Sequence, residues 1–218
     1  MIVVAALAWY AESTVTLERC VTSLKGYCDG LVALGGRWSG FPEIPGDDPE
    51  EQANVISEAC EKTGLNYEVG LGEWESQVEK RSDLMEQATD WSDWVLVIDA
   101  DEYIEKGSPS LFRDGLDATG YDVARVFTYR IPTPSGRNIQ RVYRSSTKVT
   151  VKTAHNGYMA EDGRFLNGDP CYVNLAPTAE LGDHLTIVHD LTCRGTNRKQ
   201  ARQDYLRFRR KTRIESWR

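Results

Sequence analysis

The sequence predicts an α/β fold: a mixed, mostly parallel central sheet flanked by helices, with antiparallel additions in the second half. Three observations predict it. Strand-length apolar runs alternate with helix-period segments through residues 1–105. Past about residue 120 the chain turns to short β-branched and aromatic runs broken by Pro, Gly and Ser. The 218 residues, 40% hydrophobic and 27% charged, suit one full-sized core and exclude disordered, collagen-like and low-complexity classes. Residues 1–218 are therefore read as a single domain with two halves, 1–105 and 106–218.

Taken in order, Ile2–Ala8 is a continuous apolar run, the pattern of a strand buried on both faces. Ser13 and Thr14 offer caps for a helix whose Leu17, Val21 and Leu24 recur on one face, with Gly26 as its stop. Gly30–Leu34 is a second strand, followed by a long turn-rich loop over 35–46. Asp48 as N-cap, Pro49 at the first helical position, Glu50 and Glu51 in the first turn and Gly64 past the last bound the next helix. Leu65–Val69 reads as a strand, Glu75–Thr89 as a helix, and Trp94–Ile98 as the most apolar strand. Val123–Ile131, Ile139–Tyr143, Val149–Lys152 and Thr186–His189 are the later strands, and Thr196 precedes a closing helix.

The net charge of -7 is uneven. Arg194–Arg218 carries ten Lys or Arg against two acidic residues, so the rest of the chain holds 16 basic against 31 acidic residues. An acidic body argues against nucleic acid as a partner, and a basic terminal segment argues for a local anionic one. No apolar run reaches the roughly 20 residues of a membrane span. Five scattered cysteines with no CxxC pair suggest neither a disulfide framework nor a zinc site, and fit a reducing, cytoplasmic setting.

The strongest chemical signal is Ile98-Asp99-Ala100-Asp101-Glu102, at the carboxyl end of the apolar fourth strand. Open α/β sheets bind ligands there. Three carboxylates at the mouth of a buried strand need a counter-charge, which a hard divalent cation supplies. Mg²⁺ or Mn²⁺ on such ligands can bridge the oxygens of a diphosphate. The alternative is a solvated turn with ordinary ion pairs.

Lys80-Arg81-Ser82-Asp83-Leu84 opening a helical stretch, followed by Asp93-Trp94-Val-Leu-Val-Ile-Asp99-Ala-Asp101-Glu102-Tyr-Ile104, resembles family 2 glycosyltransferases of the GT-A fold. The resemblance covers residues 1–105 in order and 140–205 more loosely. It implies a Rossmann-like sheet, 1–105 as the nucleotide-sugar half and 106–218 as the acceptor-side half. It also implies an inverting, metal-dependent transfer of a sugar from a nucleoside diphosphate donor, expected to be a UDP-sugar, to a hydroxyl of a protein, glycan or small-molecule acceptor. Carried over, Asp99 contacts the ribose or the metal, Asp101 is the principal metal ligand, Arg81 reaches the nucleotide, and Tyr10, Ala11 and Glu12 cradle the base. Ser82 stands where members often have Asn, and Gly35-Gly36-Arg37 where many offer an acidic residue to the base.

His189, ending the Thr-Ile-Val-His run, is the expected third metal ligand, with a backbone-bonded structural histidine as its alternative. Glu161 and Asp162 are the candidates for the carboxylate that removes the acceptor proton. The following Gly163 allows the pair to be a hairpin turn instead. Arg194 and Arg198, entering the last helix, are candidate diphosphate contacts, against a solvated helix face. His155 and Trp38 are candidates for the acceptor side, with local packing as the alternative for the Trp. Two rival functions remain: a binding module that holds nucleotide-sugars without turnover, and a phosphatase of the haloacid-dehalogenase type. The latter carries Asp-x-Asp on its first strand followed by Gly-Thr, where this chain has its fourth strand followed by Glu-Tyr.

Overall fold

The computed structural model describes residues 1–44, 47–133, 135–153, 157–167, 176–193, 200 and 203–205. Its core is β1 (Val3–Trp9), β2 (Gly30–Gly35), β3 (Asn66–Leu71) and β4 (Trp94–Asp99), joined by α1 (Thr14–Ser23), α2 (Pro49–Thr63) and α3 (Gln77–Asp90). All three pairings among these strands, β1 with β2, β1 with β4 and β2 with β3, are parallel. The apolar faces of β1, β2 and β4 are covered on both sides, by one cluster around Leu7, Leu17, Ile56 and Leu96 and another around Val4, Val32, Leu84 and Val97. That double cover explains why these strands read as continuous apolar runs.

The helix signals act locally. Asp48 accepts from Glu51 N and Gly64 closes α2 at φ 77, as the sequence predicts. Ser13 caps α1 by accepting from Thr16 N, and α1 ends at Ser23, before Gly26. Ser76 caps α3.

The second half extends the sheet. β5 (Glu102–Gly107), α4 (Pro109–Ala118), β6 (Val123–Ile131), β7 (Ser135–Arg144), β8 (Thr150–Thr153), β9 (Gly157–Met159), β10 (Phe165–Asn167), β11 (Thr178–Glu180) and β12 (Leu185–Asp190) follow. The large sheet has nine strands in the order β3-β2-β1-β4-β7-β6-β12-β5, with β11 also beside β6. β7 is antiparallel to β4 and β6, and β5 to β12. β11 and β12, however, run parallel to β6. The antiparallel additions are therefore interleaved with parallel ones, and the sheet stays mostly parallel. β8, β9 and β10 form a separate small sheet. Neither β5 nor α4 follows from the apolar pattern. The closing helix predicted after Thr196 lies largely outside the described residues, of which Gln200 and Gln203–Tyr205 are helical. No helix among the described residues is long and apolar enough to cross a membrane. Cys20, Cys28, Cys60 and Cys193 are free thiols.

Candidate functional site

With β1 flanked by β2 on one side and β4 on the other, the chain reverses its winding between β1 and β4. Open sheets of this kind take ligands outside that point. Ala8 lies in register with Asp99, so the segments leaving β1 and β4 emerge side by side. One carries Tyr10, Ala11 and Glu12; the other carries Asp99, Asp101 and Glu102.

The acidic triplet is a compensated network. Arg81 Nη2 of α3 donates to Asp99 Oδ1 at 2.7 Å. Arg141 Nη1 of β7 stands 3.7 Å from Asp99 Oδ2, and Arg141 Nη2 pairs with Glu102 Oε1. Glu102 Oε2 also accepts from Asp99 N at 2.9 Å. The antiparallel pairing of β12 with β5 sets His189 opposite Glu102, at 3.7 Å from Nδ1, and His189 Nε2 lies 3.2 Å from Asp101 Oδ2. Cations and carboxylates thus alternate from Arg81 to Asp101. Asp101, Glu102, Arg81 and Arg141 are all buried, and Asp99 is the most open, its side chain 24% exposed.

These contacts set the charges. Burial alone would raise the Asp99 carboxyl, but Arg81 and then Arg141 overcome it and hold it well below the usual carboxylate range. Burial pushes Glu102 up to about 7, Arg141 offsetting only part of the rise. Burial opposes charge on His189, yet the hydrogen bond to Asp101 and the surrounding carboxylates outweigh it and raise the imidazole.

Arg141 is the member that sequence reasoning missed. Ala124 pairs with Val142 and Arg125 with Gln140, so Arg141 is the extra residue of a β-bulge. Bulges re-aim a side chain, here into the network. The signal is present in the sequence as a break in alternation, Ile139 and Val142 being three apart where a strand needs two. Arg141 Nε and Nη1 make no hydrogen bond, so the guanidinium keeps donor capacity.

Do these residues suit a divalent cation? Among the described residues no group of three or more His, Cys, Asp or Glu converges to hold one. Asp101 and His189 meet at 3.2 Å, and neighbouring ligands on an octahedral ion at about 2.1 Å stand roughly 3 Å apart. That pair suits two positions of such an ion, with the rest left to ligand and water. At Asp99 a cation would compete with two guanidinium groups.

Beside this network, at the carboxyl ends of β1, β2 and β3, lies a cleft of about 670 Å³, the size of a small-molecule site. Tyr10, Gly36 and Gly72 line it together with Arg37 and five carboxylates, among them Asp47 and Glu73. Gly36 sits at φ 120, and a Cβ there would stand 2.0 Å from Gly72 O. Backbone approaches backbone so closely at the cleft floor that only glycine fits.

The remaining predicted residues fall as follows. Tyr10 is buried, donates to Pro42 O at 3.2 Å, and packs edge-on against Trp38 and Phe41. Glu12 is buried. Trp38 is packed against Phe41 at 4.6 Å and donates to Tyr205 Oη at 3.4 Å. Glu161 and Asp162 stand in the turn between β9 and β10, both exposed. Lys148 pairs with Glu161, while the Arg164 backbone and side chain both hold Asp162, whose pKa falls as a result. His155, Arg194 and Arg198 lie outside the described residues.

Solved structures share this architecture. The chain aligns with S. aureus TarS at TM-score 0.56 and 15% identity, covering 85% of this chain and 36% of that one. It aligns with residues 1–349 of TarS in complex with UDP at TM-score 0.57 and 16% identity, covering 86% of this chain and 60% of that one. The fold is GT-A-like. The chain spans less than two thirds of the length of the TarS chains it matches. No protein-family model and no curated protein matches it.

Proposed function

We propose that this protein is a glycosyltransferase that takes a nucleoside diphosphate sugar, with UDP as the nucleotide, and passes the sugar to a hydroxyl acceptor. The observation that carries the reading is an arrangement of strand ends: β1 borders an open cleft on the β2 and β3 side and pairs on its other side with β4, past whose end Asp101 meets His189. The fold shared with TarS, solved with UDP, supports it.

In this reading the nucleoside occupies the cleft against Tyr10 and the Gly36–Gly72 floor. Asp99, held by Arg81 and Arg141, faces the ribose from the next strand. Asp101 and His189 would hold Mn²⁺ or Mg²⁺, which would supply positive charge to the leaving diphosphate. Arg81 and Arg141 keep Asp99 and Glu102 fixed so that Asp101 presents its carboxylate without rearrangement. Glu161 is the stronger candidate for the acceptor's base, because the two Arg164 donors that hold Asp162 ionised also weaken it as a base. Attack opposite the diphosphate gives inversion.

The experiment is release of UDP from a panel of UDP-sugars with Mn²⁺, with and without candidate hydroxyl acceptors. Release that depends on Asp101 is expected. Absence of UDP binding would overturn the proposal, and UDP binding with no release from any donor would favour the non-catalytic binding module.

A further inference from the structure

Lys80 is not among the residues expected to act, yet it is the most unusual side chain beside the cleft. It is 2% exposed. Its Nζ donates to Trp9 O, the last carbonyl of β1, at 2.7 Å and to Gly36 O, just past β2, at 2.6 Å. The Trp74 ring lies 4.9 Å from Nζ, and the Trp74 indole is itself fixed by Asp83 at 2.8 Å. Gly36 N also donates to Trp9 O and Gly72 N to Gly35 O, so three strand ends meet at this point.

A lysine here is costly on three counts. It is buried, it stands four residues after the Ser76 cap where the helix dipole disfavours a cation, and it adjoins the Arg81 charge. Burial first and Arg81 second lower its pKa to about 7, and Asp47 opposes the drop only in part. A methionine would pack the same volume at less cost, but it would take the ammonium donor from Gly36 O and leave Trp9 O with the Gly36 N bond in place of two donors. The groups that bear on Nζ are Arg81 of its own helix, Asp47 from the segment entering α2, the Trp9 and Gly36 carbonyls, and the Trp74 ring that Asp83 fixes.

We propose that Lys80 is a positioning residue for the nucleotide: it ties the ends of β1 and β2 into one cleft floor and sets a buried positive charge beneath a cleft walled by carboxylates. This rests on the nucleotide reading above. An anion in the cleft then favours the ammonium, and by linkage the ammonium favours the anion.

UDP binding is measured by calorimetry for the wild type and Lys80→Met at about pH 6 and about pH 8.5. The ratio of wild-type to variant affinity is expected to fall about fivefold between the two. In the wild type, the NMR titration midpoint of the Lys80 side chain is expected to move to higher pH when UDP saturates the protein, a readout that needs no variant to fold. If the wild type binds no UDP, the nucleotide reading fails and this inference with it. If the wild type binds UDP but the Lys80 midpoint does not move, or if the variant keeps the same pH dependence, this inference alone is overturned.

Discussion

Beyond β4, Asp101 and Glu102 are buried, Asp99 is partly so, and each faces a cationic or titratable partner; beyond β2 and β3, Glu43, Asp47, Asp48, Glu50 and Glu73 stand around open space. Glu43 and Glu73 are 79% and 76% exposed at the side chain and share Arg37. Both regions are acidic in sequence, yet one is a closed network and the other a solvated wall. The difference lies in what crosses over each. β7 and β12 lay Arg141 and His189 over the first, and among the described residues no strand covers the second. Within the network Asp101 is the carboxylate that pairs with the histidine, whereas Asp99 and Glu102 pair with guanidinium groups.

The sharpest way to break the network is Arg141→Met, which strands Glu102 and Asp99 without their shared cation. A loss of about 3–5 kcal/mol in urea unfolding is expected, and a loss under about 1 kcal/mol would mean that the guanidinium is not holding them. Next in size, Glu161→Gln is expected to cut kcat for sugar transfer by about a hundredfold or more with little change in unfolding; undiminished turnover would return the residue to a turn role. Asp101→Asn should abolish the stabilisation by UDP with Mn²⁺, about 2.7 kcal/mol at 100 times Kd in the wild type, and a thermal shift that survives the change would remove Asp101 from the cation.

The open region is tested through pH. Lys80 is depressed to about 7 in the folded state, so between that value and the unfolded value near 10.4 the unfolded chain binds the extra proton. Wild-type stability should therefore rise with pH across that window relative to Lys80→Met, by up to about 1.4 kcal/mol per pH unit. Parallel stability curves for the two proteins would show that the lysine is not depressed. The smallest effect is expected for Tyr158→Phe, which removes the 3.4 Å contact from Arg81 Nη1; about 0.5 kcal/mol in the same unfolding assay is expected, and a loss as large as that of Arg141→Met would extend the network to β9.

What could be read from sequence divides along local and non-local lines. α2 was legible to the residue because Asp48, Pro49 and Gly64 act within one helix turn of each end. β1, β2 and β4 were legible because burial on both faces leaves an unbroken apolar run. α4 opens with Ser108 and Pro109, the same kind of signal as α2, but its apolar face is only Phe112 and Leu116. β5 loses its pattern after Ile104, where Glu105 and Lys106 reach solvent at the sheet's edge. The parallel pairing of β12 with β6 and the partners of Asp99 depend on residues far apart in the chain, Arg81 and Arg141 among them, and no window of the sequence holds both sides of such a pair.

Gly36 has one further consequence. Since no side chain can occupy that position, whatever rests on the base of the depression touches peptide planes, which are the same for every amino acid. Discrimination between one occupant and another must then be written in the side chains around it, Tyr10, Arg37, Glu43, Asp47 and Glu73 among them, and those beyond the strand ends can change by mutation while the peptide floor stays the same.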